Sequence, residues 1–269
     1  MKELEYMVIG CYLVALIGYW IRLGINVSGR FGWITQGLAA AGWIIQTGII
    51  FFRWAQEGNP PVIGYRDTLF FLSFAIVGLM HFIEYRYAMN ILGAFVMPVA
   101  ALCVVRLPMI PERGAPDPQL VSLWLPLHAM GTFISYALFI TTFGVGIAYL
   151  IQERQLKAKH VSGVFHRLPD LDVLDRLSFS LIAWAAPLLV GGVVTGMMWT
   201  HQRLGVWFRG DPKEIWVLIT LLLYAVYLAC RMVWGWRGRS AVYLSLAGFV
   251  VMLMTYIGVN VVSGRHHYL

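Results

Sequence analysis

Charged side chains are scarce in this chain. Asp, Glu, Lys and Arg make up 12% of the 269 residues, while 59% are hydrophobic and the mean hydropathy is +0.72. A soluble globular domain carries about 25% charged residues. The composition therefore excludes an ordinary soluble domain and indicates an integral membrane protein.

Cysteine is scarce as well. Cys11, Cys103 and Cys230 lie inside or at the ends of apolar segments, and none belongs to a Cys-x-x-Cys pair. Disulfide and thiolate–metal chemistry are therefore not expected, and each cysteine is expected to act as a small buried hydrophobe. The chain also lacks Cys-x-x-Cys-His, so it does not carry covalently attached c-type haem itself.

Long apolar segments are what the chain does contain. Eight of them are long enough, at about 20 residues each, to cross a membrane as helices, and the third is the short one. They run roughly over 6–24, 32–52, 68–84, 87–105, 126–151, 179–200, 214–233 and 240–263. We predict an all-α fold, a polytopic transmembrane bundle of about eight helices that forms one domain over residues 1–269.

A polar and aromatic segment, 199–216, separates the sixth and seventh apolar runs. It contains Trp199, Trp207, Phe208 and Trp216, which is more aromatic surface than a solvated loop needs. Aromatic rings at a membrane boundary either anchor helix ends at the headgroups or form the wall of a site for a flat apolar ligand. Ring content alone favours the anchoring role.

The spacing of this segment resembles the tryptophan-rich signature of the CcsA/ResC family of cytochrome c biogenesis proteins, which handle haem. The residues in step with the signature are Trp199, Gly205, Trp207, Phe208, Asp211, Pro212, Lys213, Glu214 and Trp216. Leu204, Phe208 and Gly210 stand where the family usually has tryptophan. The Asp-Pro-Lys-Glu end is intact, and the aromatic part is reduced.

The resemblance places the tryptophan-rich segment 199–216 outside the membrane. Both termini then face outward as well, and the basic segment 152–178 faces inward. Counting Lys and Arg gives 11 inside and 9 outside, a small bias in the expected direction. The net charge of +7 therefore records topology, and no nucleic-acid partner is predicted.

Histidines are the expected ligands of haem iron. Of His81, His128, His160, His166, His201, His266 and His267, three fall at the outward side by this topology. His128 lies at the outward end of the fifth segment, and His266 and His267 follow the eighth. Two imidazoles at one membrane depth are able to hold an iron from both sides, beside the aromatic segment.

The surroundings of these histidines carry the same resemblance. His128 followed by Ser135-Tyr136-Ala137 is similar to the family helix whose histidine is an outward haem ligand. Gly258-Val259-Asn260 is similar to the C-terminal family segment that ends on a second histidine. That histidine corresponds to His267 without a gap and to His266 if one residue is missing, and the retained His-x-Tyr pattern favours His266. The resemblance covers residues 120–269 well.

Other positions are expected to be structural. His81 lies one turn from Glu84, and a structural His–Glu pair is favoured over a buried ligand. His201 is expected near the site but not as a ligand. Family members carry a further histidine where this chain has Ala229, so a second haem deep in the membrane is not expected.

The resemblance implies a haem-handling protein of c-type cytochrome maturation in a bacterial inner membrane or an equivalent membrane. It would bind haem b non-covalently on the outer face, with His128 and His266 as metal ligands. Trp199, Trp207, Phe208 and Trp216 would contact the porphyrin, and Asp211 would bind cofactor or cap the following helix. Arg203, Arg209 or Lys213 would pair with the haem propionates.

Apocytochrome c and a CcsB/ResB-like membrane protein are the implied partners. The resemblance leaves open whether the single chain is an enzyme or one component of a cytochrome c synthase, and no catalytic residue is predicted. The alternative is a non-catalytic haem- or quinone-binding membrane subunit of a larger complex built on the same scaffold.

Overall fold

The computed structural model describes residues 1–25, 29–58, 60–62, 64–87, 89–90, 92–111, 122–159 and 168–255. Within these ranges the chain forms eight α-helices, one short 3-10 helix and no strand, which confirms the all-α prediction. The helices are α1 (Lys2–Gly24), α2 (Gly29–Glu57), α3 (Tyr65–Tyr87), α4 (Gly93–Val105), α5 (Trp124–Lys157), α6 (Leu171–Leu204), α7 (Pro212–Met232) and α8 (Arg239–Leu253).

Six of the described helices are long and apolar enough to cross a membrane, and α4 and α8 are the two shorter ones. The expectation of a short third helix was wrong. α3 has 23 residues, because charged and aromatic residues continue the helix beyond both ends of its apolar stretch. A continuous helix is thus longer than its apolar run whenever its ends reach the headgroups.

Helices that continue beyond their apolar runs also shorten two of the predicted loops. α5 continues to Lys157 and α6 already begins at Leu171, so most of segment 152–178 outside the undescribed residues is helical. α6 then continues to Leu204, and α7 begins at Pro212. Only residues 205–211 of the tryptophan-rich segment form a connection between helices. α5 and α6 have 34 residues each and span about 51 Å, which exceeds the hydrocarbon thickness of about 30 Å.

The helices alternate in direction and so define two faces of the bundle. The first face is where α1, α3, α5 and α7 begin, and the second face is where they end. At the first face, Arg53 of α2 lies 2.9 Å from Asp67 of α3, and Ser122 donates a hydrogen bond to Gln202 at 2.9 Å. At the second face, Arg239 of α8 lies 3.1 Å from Glu153 of α5.

α5 and α6 pack closely along a line of small residues. A Cβ on Gly131 would lie 3.5 Å from the carbonyl oxygen of Leu188 and 3.7 Å from the backbone of Gly192. Deeper in the bundle, the Ser135 hydroxyl donates a hydrogen bond of 2.9 Å to the carbonyl oxygen of Ala185. Small residues and short polar side chains permit such close approach between membrane helices. This contact fixes the position of His128, near the start of α5.

A buried carboxylate lies among α1–α4 near the second face. Glu84 is 5% exposed, and its carboxylate accepts hydrogen bonds from the Tyr19 hydroxyl at 2.8 Å and the Gln36 amide at 3.3 Å. His81 instead bonds the carbonyl oxygen of Val77 at 2.8 Å in its own helix. His81 therefore interacts with Glu84 electrostatically but not through the expected hydrogen bond, since Tyr19 and Gln36 donate to the carboxylate instead.

Candidate functional site at the first face

The His128 imidazole is held by the backbone of α6. Its Nδ1 lies 2.6 Å from the carbonyl oxygen of Gly192. Because a carbonyl oxygen only accepts hydrogen bonds, Nδ1 must carry the proton, and in the neutral ring Nε2 then bears the lone pair. No described residue forms a hydrogen bond to Nε2. The ring therefore presents its metal-binding nitrogen with the other nitrogen already fixed, as metal-ligating histidines require.

The imidazole occupies space that a side chain on α6 would fill. A Cβ at Gly196 would lie 2.7 Å from Nδ1 of His128 and 3.0 Å from its Cε1. Four residues earlier, a Cβ at Gly192 would lie 2.5 Å from the hydroxyl of Thr132. Both positions thus need glycine for α5 to approach α6. Sequence analysis missed the relation of Gly192 and Gly196 to His128; their four-residue spacing was the available signal.

Two further residues lie on the same side of α6. At about 100° per residue, Trp199 and Arg203 project within about 60° of Gly196, one and two turns nearer the first face. The Arg203 guanidinium lies over the Trp199 ring, 5.5 Å from its centroid. The partly buried Trp199 and the exposed Arg203 therefore flank the imidazole of His128 on the first-face side.

The connection between α6 and α7 is fixed at both ends. α6 ends at Gly205, whose φ of 72° is favourable for glycine alone, and its N–H bonds the carbonyl oxygen of His201 at 2.9 Å. At the other end, the Asp211 carboxylate accepts from the N–H of Glu214 at 2.9 Å. This confirms the expectation that Asp211 caps α7, with Pro212 in the first turn.

Glu214 completes the cap in the opposite direction. Its carboxylate accepts from the N–H groups of Arg209 at 2.8 Å and Gly210 at 3.0 Å. These two N–H groups belong to the residues just before the N-cap, so the Glu214 carboxylate joins the end of the connection to the first turn of α7. Asp211 and Glu214 thus hold the connection in one conformation, a role for Glu214 that sequence analysis missed although the Asp-x-x-Glu spacing indicated it.

Trp207 lies on a different side of α6 from His128. The Trp207 ring stacks on His201, with centroids 4.0 Å apart and planes 18° apart. His201 is nine residues from Gly192, which is two and a half turns, so it projects from the opposite side of α6. Trp207 is 52% exposed and Phe208 is 49% exposed. Trp199 and Trp207, both predicted to contact one ligand, therefore lie on two sides of α6. The path of the connection after Gly205 carries Trp207 to the His201 side.

α7 brings a cation and a ring to the His128 side. Lys213 lies two turns before Thr220, a fully buried residue, so both project from the same side of α7; the Lys213 side chain is exposed and interacts electrostatically with His128. Trp216, partly buried, lies between them. The first face therefore combines one fixed imidazole, two partly buried tryptophan rings and two cations, contributed by three helices.

These residues fit haem as a ligand. A neutral imidazole with a free Nε2 is suited to iron, the indole rings of Trp199 and Trp216 are suited to a porphyrin plane, and Arg203 and Lys213 are suited to its carboxylates. Within the described part of the chain, no group of three or more His, Cys, Asp or Glu residues forms a metal site of another kind.

Several predicted positions lie outside the described residues. These are His160, His166, Asn260, His266 and His267, so a second haem ligand stays a prediction, as does the ligand role of His128. Ala229 is described. It lies in the last turn of α7, towards the second face, and its carbonyl oxygen accepts the N–H of Val233 at 2.8 Å.

Comparison with known proteins identifies the family. The family model described as cytochrome C assembly protein matches residues 62–267. A cytochrome c biogenesis protein CcsA from Guillardia theta is 31% identical, with 95% of this chain and 92% of that protein covered. CcsA proteins from a Picosynechococcus species and from Porphyra purpurea are each 29% identical, covering 90% and 96% of this chain and 89% and 94% of theirs.

The matched region begins in the residues before α3 and includes every residue of the first-face site, from His128 in α5 to Trp216 in α7. The relatives extend the similarity over α1 and α2, and the covered fractions show that the chain and these relatives are of similar length. This chain belongs to the cytochrome c assembly family, and its role lies in the maturation of c-type cytochromes.

Proposed function

We propose that the chain binds haem b non-covalently at the first face and presents it for attachment to apocytochrome c. The observation that carries this proposal is the hydrogen bond from Nδ1 of His128 to the Gly192 carbonyl oxygen at 2.6 Å. It fixes the tautomer in which Nε2 is available to iron. The same bond fits the alternative, a haem- or quinone-binding subunit without a part in attachment, and membership of the cytochrome c assembly family is what favours attachment.

His128 supplies the first metal ligand in this proposal, and His266 or His267 supplies the second. α8 runs from the second face towards the first, which is the direction that a ligand beyond its end requires. His266 stays the preferred candidate because of its His-x-Tyr pattern. Neither residue is among those that the structure describes.

The aromatic residues have different parts in the proposed site. Trp199 and Trp216 contact the porphyrin from α6 and α7, because they lie on the inward sides of those helices. Trp207 and Phe208, which are half exposed, form the outer edge, where a partner approaches. Asp211 acts through the conformation of the connection between α6 and α7, since its carboxylate is bonded to Glu214 N–H.

The chemistry assigned to this chain is positioning. Bound haem supplies the vinyl groups that accept the cysteine thiols of apocytochrome c, and the site holds it in one orientation with an open edge. Bringing two reactants together in a fixed geometry accelerates their reaction without an acid–base group from the protein. A CcsB/ResB-like membrane protein is the proposed partner in this task.

The proposed orientation places the first face outside a bacterial inner membrane or an equivalent membrane. Among the described residues, the second face carries ten Lys and Arg residues and five Asp and Glu residues, whereas the first face carries seven and six. Excess positive charge on the cytoplasmic side is the rule for membrane proteins, and it supports an outward haem site.

An absorption spectrum of the purified chain, expressed with and without a ResB-like partner, tests the function. We expect a Soret band and, on reduction, the bands of a bis-imidazole haem. His128→Ala should remove most of the haem. His201→Ala is the matched control, because His201 lies on the opposite side of α6, and it should retain the haem. A colourless, folded wild-type protein would contradict the proposal.

Trp199→Ala and Trp207→Ala test the division of the aromatic residues. Trp199→Ala should weaken haem binding more than Trp207→Ala, because burying one aromatic side chain contributes about 1.5–3 kcal/mol and only Trp199 lies on the His128 side. A larger loss in Trp207→Ala would place the porphyrin against the connection between α6 and α7.

A further inference from the structure

We propose that Arg203 and Lys213 together recognise the two carboxylates of the haem, and that Arg209 does not. This inference rests on the proposed function, and it selects two of the three cations in the tryptophan-rich segment. It assigns the carboxylate edge of the porphyrin to the space between the end of α6 and the start of α7.

Arg203 is directed to the site by its helix and by an aromatic contact. It lies seven residues after Gly196, which is close to two full turns, so both project from the same side of α6. Its guanidinium lies over the Trp199 ring at 5.5 Å. Stacking through the flat surface of a guanidinium leaves its N–H groups free at the edge, where they bind carboxylates in pairs.

Lys213 approaches from α7. Its position two turns before the buried Thr220 places it on the same side of that helix as Thr220, and its charge interacts with His128. Asp211, the N-cap of α7, interacts electrostatically with Lys213 without forming an ion pair, and no carboxylate in the described part of the chain forms an ion pair with Arg203.

Arg209 differs in both position and partners. It lies in the connection between α6 and α7, where its backbone N–H bonds Glu214 at 2.8 Å, and its guanidinium is 4.0 Å from the carboxylate of Asp211. Two other cations at the first face are likewise neutralised, since Arg53 pairs with Asp67 and Arg66 with Glu5. Arg203 and Lys213 differ from these three cations because neither of them forms an ion pair among the described residues.

Two cations beside one imidazole match the chemistry of haem, which has two propionate groups on one edge. Charge-assisted hydrogen bonds to these carboxylates would set the rotation of the porphyrin in its plane. The opposite edge, which bears the vinyl groups, would then point away from Arg203 and Lys213. This arrangement adds an orientation to the binding that His128 alone does not provide.

The test compares haem with its dimethyl ester, in which both carboxylates are neutral, by absorbance titration of the detergent-purified full chain. We expect Arg203→Gln and Lys213→Gln each to raise the Kd for haem by about ten-fold, the effect of one charge-assisted hydrogen bond. The Kd for the ester should not change in either variant. Arg209→Gln, the matched control, should leave both values as in the wild type.

Arg203→Lys keeps the charge and should recover part of the preference for haem over its ester, which a purely structural role of Arg203 would not predict. Equal weakening of haem and ester in Arg203→Gln and Lys213→Gln would overturn the inference, as would an effect of Arg209→Gln of the same size. Failure of the proposed function has a different signature, because the wild type would then bind neither compound.

Discussion

His128 and Gly192 are joined by a hydrogen bond between α5 and α6, from the imidazole Nδ1 to the backbone carbonyl oxygen at 2.6 Å. A backbone acceptor cannot change its protonation state or rotate away. The contact therefore orients the imidazole and fixes its tautomer as long as the two helices stay in register. Helix packing and the chemistry of the first face are coupled at this point.

Gly196→Ala should disturb the site without removing any functional group. The new Cβ would lie 2.7 Å from Nδ1 of His128, so the ring must move and the bond to Gly192 must weaken. We expect bound haem, measured by absorbance after purification, to fall several-fold. Gly191→Ala is the control on the same helix, since a Cβ there meets nothing within 4 Å. Equal haem contents in the two variants would contradict this role of Gly196.

Asp211→Ala should destabilise the start of α7 by about 1 kcal/mol, the usual effect of removing an N-cap side chain. The reason is the bond from Glu214 N–H to the Asp211 carboxylate at 2.9 Å. Thermal unfolding in detergent measures the effect. Asp211→Asn keeps a capping oxygen and should stay close to the wild type in stability and haem content. Full stability of Asp211→Asn with complete loss of haem would instead indicate direct contact between Asp211 and the ligand.

Tyr19→Phe should destabilise the bundle more than His81→Ala does. Tyr19 donates at 2.8 Å to the buried Glu84 carboxyl group, and leaving one partner of a buried hydrogen bond unsatisfied costs about 1–3 kcal/mol. His81 bonds backbone carbonyl oxygens instead. Midpoints of thermal unfolding in detergent compare the two variants. If His81→Ala lowered the midpoint of unfolding more than Tyr19→Phe, the stability of the buried Glu84 site would depend on His81 rather than on Tyr19.

Phe208→Cys and Arg237→Cys should report opposite membrane sides. Both residues are exposed, Phe208 at the first face and Arg237 at the second. We expect an impermeant thiol reagent to label the cysteine at 208 in intact cells and the cysteine at 237 only after lysis. Of the native cysteines, Cys103 and Cys230 are buried, whereas Cys11 is partly exposed and not the buried residue that was expected, so labelling of the unmodified chain measures the background. Labelling of 237 before lysis would reverse the proposed orientation.

The sequence by itself was sufficient for the class of fold and for the family. Apolar runs of membrane-crossing length predict helices because lipid offers the backbone no hydrogen-bond partner, and all eight predicted segments correspond to helices in the described residues. The cap of α7 was also predictable, since Asp211, Pro212 and Glu214 act within four consecutive positions. Local interactions depend on spacing along the chain, which the sequence contains directly.

The helix ends and the arrangement of the site were decided by tertiary structure. Hydropathy underestimated α5 and α6, because their ends extend beyond the apolar core. The pairing of Glu84 with Tyr19, rather than with His81, joins residues 65 positions apart. Trp207 and Trp199 are separated onto two sides of α6 although both belong to one sequence signature. These outcomes depend on how helices distant in sequence pack together and on the path of the connection after Gly205. Local spacing along the chain encodes neither the packing nor that path.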